Sequence, residues 1–328
     1  MTSIIPTSKN LVGNTPLLKL SSISEELNLD VYGKLEMMNP SGSMKDRAAS
    51  SMIKHALKEN KINHQSTIIE SSSGNMGIAL ARICSEMGLK FICVTDIKTN
   101  PKTIAAIKEY GGVVDLVSGG MYSTDLLSLR LKRVRELIAS TPGAYWPNQY
   151  ENYNNARGYA QLMKELVAEL GTGIDYIICA TGTCGTLRGC RDYIKSKGLD
   201  TKTIAVDAEG SVIFGNKPGL RHIPGHGSSI RPELFSNDLA DHVIHVSDSE
   251  AINGCYKLLR KESILAGGST GAIIAAITKM SEFIPTKSKV VIIVGDDGKR
   301  YLDTIYSESW RSKRQIISGG FVNASSVQ

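Results

Sequence analysis

At 328 residues the chain is long enough for two lobes of ordinary size, and 41% hydrophobic against 21% charged residues is the balance of a water-soluble globular protein. No apolar run approaches the roughly 20 residues of a membrane span, and "MTSIIPTSKN" lacks the basic start and apolar stretch of a signal peptide, so the expected compartment is the cytoplasm. The net charge of +6 is densest in "RLKRVRE" (130–136) and "RSKR" (311–314) with no recognition motif beside it, which argues against nucleic acid and suits small anionic metabolites.

Short apolar strands alternate with segments of helical period. The spacing predicts a strand over Val31–Glu36 and a helix over Asp46–Asn60, with Ala48, Met52, Ile53, Ala56 and Leu57 on one face. A strand over Ser66–Glu70, a helix over Asn75–Met87 and a strand over Lys90–Thr95 follow. Pro101 opens a helix to Tyr110; then come a strand at Val113–Val117 and a helix from about Thr124 to Ser140. The rhythm recurs with a helix over Ala156–Leu170, a strand over Asp175–Ala180, a helix over Gly185–Ser196 and a strand over Thr203–Ala208. Residues Glu209–Ala240 are irregular and rich in Gly, Pro and Ser, a length that marks a functional or mobile loop. The series closes with a strand at His242–Val246, helices over Asp248–Lys261 and Thr270–Met280, and a strand at Lys289–Val294. The last residues, Ile316–Gln328, are small or polar and read as a mobile tail.

This alternation predicts parallel sheets covered by helices, in two α/β lobes, residues 1–150 and 151–328, with a boundary near Tyr145–Asn155. In such folds ligands bind beyond the C-terminal strand ends, so the loops that follow strands carry the information. "NPSGSMKDR" (Asn39–Arg47) delivers Lys45 to the mouth of a helix through a cradle of small residues. "SSSGNMG" (Ser71–Gly77) offers hydroxyls and bare amides, a nest suited to a carboxylate. "TGTCGT" (Thr181–Thr186) places several backbone N–H groups at a helix start, where phosphate is welcome. No Walker loop and no well-formed GxGxxG with its acidic ribose ligand occurs, so the phosphate belongs to something other than a nucleotide. Taken alone, each loop has an ordinary reading, as a packing glycine or a plain N-cap. The six cysteines form no CxxC pair and have no zinc spacing, so no metal is expected.

Together, in this order, with the late serine of "AGGSTGA" (Ala266–Ala272), these loops resemble the fold-type II pyridoxal phosphate enzymes, the cysteine synthase and cystathionine β-synthase group. The resemblance runs from "VGNTPLLKL" (Val12–Leu20) to "DDGKRYL" (Asp296–Leu302). It implies a two-lobed, three-layer α/β/α fold like the tryptophan synthase β subunit, in which the first strands can cross to the other lobe, and a homodimer. By the same resemblance Lys45 would hold pyridoxal phosphate, Asn75 would bond its 3-hydroxyl, and Gly182, Thr183, Cys184, Gly185 and Thr186 would cradle its phosphate. Ser269 would face the pyridine nitrogen; a neutral serine there favours expelling a β-substituent over transamination. Ser72, Ser73, Met76 and Gln149 occupy the substrate-carboxylate positions. Met76 replaces the usual threonine, so its part rests on backbone alone.

Within the family, "VDAEGSVIFGNKPGLRHIPGHGSSIRPELF" (Val206–Phe235), "AYWPNQY" (Ala144–Tyr150) and "LAGGSTGAIIAAI" (Leu265–Ile277) look like the N-(2-amino-2-carboxyethyl)-L-glutamate synthases of siderophore pathways. That implies O-phospho-L-serine as the source of an aminoacrylate and L-glutamate as the amine that adds to it, toward 2,3-diaminopropionate. Both substrates are anionic. The long loop offers Arg221, His222, His226 and Arg231, with Arg188 and Arg157 near other loops; Arg231 is the expected substrate contact. Cysteine synthase, β-cyanoalanine synthase, and a silent relative that senses an amino acid or docks a partner enzyme stay open.

Overall fold

The computed structural model describes residues 11–118 and 126–316. The expected helix start at Thr124 and the expected tail after Ile316 lie outside the described residues, as does the N-terminal "MTSIIPTSKN".

The chain opens with β1 (Leu17–Lys19), α1 (Ser21–Leu27), β2 (Asp30–Lys34) and a 3-10 turn at Glu36–Met38. It continues through α2 (Lys45–Lys58), β3 (Thr67–Ser71), α3 (Asn75–Glu86), β4 (Lys90–Asp96), α4 (Pro101–Glu109), β5 (Val113–Val117), α5 (Leu126–Ser140) and β6 (Ala144–Tyr145). The second half holds α6 (Tyr153–Arg157), α7 (Ala160–Leu170), β7 (Tyr176–Ala180), α8 (Gly185–Lys197), β8 (Lys202–Ala208), β9 (His242–Val246), α9 (Asp248–Glu262), α10 (Gly268–Met280), β10 (Lys289–Ile293) and α11 (Glu308–Lys313).

Two sheets result. One has the order β1-β2-β10-β7-β8-β9, parallel except for β1, which runs antiparallel along β2. The other has the order β5-β4-β3-β6 and is parallel throughout. Strands from both ends of the chain therefore share the larger sheet. β3 is buried along its whole length and β10 nearly so, as parallel strands covered on both faces must be. This is the α/β architecture that the alternation of elements predicts.

The single helix expected over Ala156–Leu170 is two helices, α6 and α7. Between them Gly158 presses bare backbone against α2: a Cβ there would come within 2.6 Å of the Arg47 carbonyl oxygen. β1, α1, β6 and α11 are too short to show a period in the sequence. Residues Glu209–Ala240 contain no helix or strand, and cross-loop bonds pin them, among them Val212 N to Ser228 O at 3.0 Å and Gly227 N to Thr181 O at 2.7 Å. Among the described residues no helix is long and apolar enough to cross a membrane.

Candidate active site

The C-terminal ends of β3, β7 and β10 and the N-terminal ends of α2, α3, α8 and α10 open onto one cavity of about 1330 Å³. Lys45, Ser72, Ser73, Asn75, Met76, Gln149, the run Gly182–Thr186 and Ser269 all line it.

Lys45 is the first residue of α2. Its position is fixed from both sides: the Met44 amide donates to Gly295 O at 2.8 Å, and two residues onward Arg47 is locked into a buried ion-pair network. Burial disfavours the charged ammonium and pushes the Lys45 pKa down, against the opposing pull of Asp296. The amine is thereby made more available as a base.

In the loop after β3, the Ser72 hydroxyl accepts from the amides of Gly77 at 2.9 Å and Gly74 at 3.2 Å, so it shapes the turn. The amides of Ser73, Asn75 and Met76 find no acceptor among the described residues and form the nest proper. Gln149 braces this loop from the neighbouring segment, its Nε2 donating to Ser71 O at 3.0 Å.

Glu70 lies behind both segments, a residue that no motif in the sequence singles out. Its carboxylate is fully buried and accepts from the amides of Ser71 at 2.8 Å and Gln149 at 3.1 Å and from Trp146 Nε1 at 3.0 Å. Burial raises its pKa to about 7, although these three donors and the charge of Arg130 pull the other way. Only its place at the end of a strand, just before the Ser-rich loop, marked it in the sequence.

The loop after β7 leads into α8 through Cys184, whose φ of 63° is left-handed, a region a β-carbon disfavours. The amides of Gly182, Thr183 and Cys184 have no acceptor among the described residues. Asn155 braces the loop, its Nδ2 donating to Thr183 Oγ1 at 3.1 Å and to Gln149 O at 2.7 Å. A Cβ on Gly185 would collide with that same amide group. Burial pushes the Cys184 thiol up to about 12, so it is a packing residue rather than a thiolate.

At the other wall Asn75 Nδ2 donates to Asp296 at 2.7 Å, and Arg300 donates to Asn75 Oδ1. Tyr301 also donates to Asp296, at 2.5 Å. Asn75 thus faces the cavity with its amide already engaged.

Arg231 is the one expected site residue outside the cavity lining. Its guanidinium stacks over Phe235, 4.8 Å from the ring centroid, and its Nε donates to Ile213 O at 3.1 Å. Arg221, His222 and His226 of the same loop do line the cavity, as does Arg130, which pairs with Asp96 at 3.3 Å.

A parallel α/β fold that turns a half-buried lysine, an amide nest and a bare-backbone loop at a helix start onto one cavity is that of a pyridoxal phosphate enzyme. Residues 9–296 match the family described as pyridoxal-phosphate dependent enzyme, and the chain belongs to that family. Among solved structures it is similar to the O-acetylserine dependent cystathionine beta-synthase from Helicobacter pylori, at 34% identity and TM-score 0.86 over 93% of this chain and 100% of that one. A hydrogen sulfide-producing enzyme from Fusobacterium nucleatum matches at 32% identity and TM-score 0.84, over 91% of this chain and 100% of that one. An O-ureido-L-serine synthase matches at 25% identity and TM-score 0.84, over 98% of each chain. The protein is a pyridoxal phosphate-dependent β-replacement enzyme of the cysteine synthase family. Its residues fit the cofactor: three donor amides open at a helix start, a glycine at 185 where a side chain would close the loop, and a lysine within the same cavity.

Proposed function

We propose that this enzyme replaces the phosphate of O-phospho-L-serine with the amine of L-glutamate, giving N-(2-amino-2-carboxyethyl)-L-glutamate and phosphate, a route toward 2,3-diaminopropionate and siderophores. The observation that carries the reading is the cavity itself. At about 1330 Å³ it exceeds the roughly 300–1,000 Å³ of most small-molecule pockets, which leaves room beside the cofactor, and its wall holds Arg221, which makes no ion pair among the described residues, beyond the two amide nests. Sulfide or cyanide needs neither that room nor the extra cation; an anionic amino-acid nucleophile uses both.

Pyridoxal phosphate, when bound, supplies the electron sink that lets the α-proton and the β-substituent leave. Gly182, Thr183, Cys184, Gly185 and Thr186 would hold its phosphate, Ser269 would face its ring nitrogen without charging it, and Asn75 would turn from Asp296 toward its hydroxyl. Lys45 would hold the cofactor until the substrate amine displaces it, then take the α-proton. Phosphate leaves with the bonding pair, the incoming amine forms the new C–N bond at the same carbon, and Lys45 returns the proton to the α-carbon. The nest at Ser73 and Met76, braced by Ser72 and Gln149, would hold the substrate carboxylate. The working unit in this reading is a cytoplasmic homodimer.

The test is the visible spectrum on adding O-phosphoserine and then L-glutamate, with the product weighed by mass spectrometry. A spectral change that glutamate reverses as adduct appears supports the reading. The similarity to an O-acetylserine dependent enzyme favours a second outcome: O-phosphoserine inert, O-acetylserine reactive and sulfide the acceptor, which makes the protein a cysteine synthase.

A further inference from the structure

The cavity wall contains a base that the fold leaves idle. His226 is 1% exposed, and neither ring nitrogen has a hydrogen-bond partner among the described residues. An unpaired buried imidazole is costly, and native proteins keep few of them without a use. It is held there by its backbone. Gly225 and Gly227 flank it at φ 74° and 73°, a left-handed conformation that glycine takes without strain. The turn is pinned to the phosphate loop by Gly227 N donating to Thr181 O at 2.7 Å, and Gly182 lies so close beneath that a Cβ would sit 3.2 Å from Gly225 O.

Arg221 lies beside it. Nη1 donates to the His226 carbonyl at 3.3 Å, Nε has no acceptor, and the guanidinium makes no ion pair among the described residues. Asp207, Asp248 and Tyr150 act on it only at longer range. Both residues line the cavity.

We propose that Arg221 and His226 form the site for the incoming amino-acid nucleophile, the guanidinium taking its carboxylate and the imidazole its amine. This rests on the reading above that the nucleophile is an amine. Such a nucleophile arrives as an ammonium and must shed a proton before its lone pair can attack. One N–H proton passes to an unpartnered ring nitrogen of His226, and the freed pair forms the C–N bond at the β-carbon. The imidazolium releases its proton to solvent as product departs. Burial and the Arg221 charge keep the empty site's imidazole neutral, its pKa held down to about 4, so one ring nitrogen is an acceptor. A carboxylate docked on Arg221 offsets that charge and strengthens the base when the substrate is in place.

The experiment uses the holoenzyme with ¹⁵N-labelled histidine and the variants His226→Gln, His226→Leu and Arg221→Gln. In the unmutated protein L-glutamate shifts the His226 ring-nitrogen resonances. In His226→Leu the ratio of kcat/KM for glutamate to that for hydrosulfide, which needs no base, falls about 100-fold, within the range of general-base effects. In Arg221→Gln the KM for glutamate rises at least tenfold. Ratios within twofold of the unmutated enzyme, or resonances unmoved by glutamate, overturn the proposal. So does a rise in half-saturation for O-phosphoserine that exceeds the rise for glutamate, since Arg221 then holds the leaving group. If glutamate gives no adduct but another amine adds with the same dependence on His226, the proposed substrate fails and this site stands.

Discussion

Arg47 and Glu36 face each other as a two-pronged ion pair, Nε to Oε2 and Nη2 to Oε1, both at 2.7 Å. The same guanidinium reaches Glu165 on α7 at 2.9 and 2.7 Å, and Lys34 closes the network at 3.1 Å. All four residues are buried, and Arg47 is two positions past Lys45, so the network anchors the first turn of α2 against β2 and α7. Arg47→Met leaves two carboxylates buried beside a lone lysine. Removing one partner of such a group costs about 3–5 kcal/mol, and urea unfolding should show a loss in that range. A loss below about 1 kcal/mol would mean that water reaches the carboxylates and that the network does not anchor the helix.

Gly185 tests the loop proposed to hold the cofactor phosphate. Its missing side chain leaves room for the Asn155 amide, which holds both Thr183 and the Gln149 backbone. Gly185→Ala must displace Asn155 and release both. We expect affinity for pyridoxal phosphate, read from fluorescence titration of the apoprotein, to fall at least tenfold, equivalent to about 1.4 kcal/mol. Unchanged affinity would show that the loop keeps its shape without Asn155.

Most of the fold was legible because strands buried on both faces must be apolar and helices between them must be amphipathic, and Val113–Val117 and His242–Val246 appear with the bounds their sequence predicts. The elements that escaped, such as Leu17–Lys19 and Ala144–Tyr145, have two or three residues and exist because a neighbouring strand supplies the partner. The cavity-lining residues were legible where a loop directly follows a strand. Glu70 was not, because a carboxylate at a strand end takes its meaning from Trp146 and Gln149, 76 and 79 residues away. Arg231 and Arg221 read alike in a loop without periodicity; only the folded chain separates the one stacked on Phe235 from the one facing the cavity.

That separation has a consequence for Arg231. Its guanidinium is engaged with the Phe235 ring and the Ile213 carbonyl, so Arg231→Ala should lower stability by about 1 kcal/mol through lost stacking and one hydrogen bond. KM for either substrate should move less than about twofold, small beside the roughly tenfold that a lost 1.4 kcal/mol contact gives. A tenfold rise in one KM with stability unchanged would mean that the side chain swings into the cavity on binding.

Glu70 makes stability depend on pH in a direction opposite to that of most paired carboxylates. Its pKa is raised from 4.5 to about 7, chiefly by burial. Below pH 4.5 the group is protonated in folded and unfolded chains alike, and its contribution is fully present. Between pH 4.5 and about 7 the folded protein keeps a proton that the unfolded chain has lost, so stability falls as pH rises through this window. Above about 7 the carboxylate is ionised in both states and the penalty, about 3 kcal/mol, is complete. Glu70→Gln cannot ionise. It is less stable than the parent at pH 5, because its NH₂ faces the donors Ser71, Gln149 or Trp146, and it recovers ground steadily toward pH 8. Urea midpoints for both proteins across pH 5–8 should therefore converge. Parallel curves would mean that the three donors hold Glu70 ionised throughout, and that its carboxylate braces the Ser71 and Gln149 loops as a fixed charge.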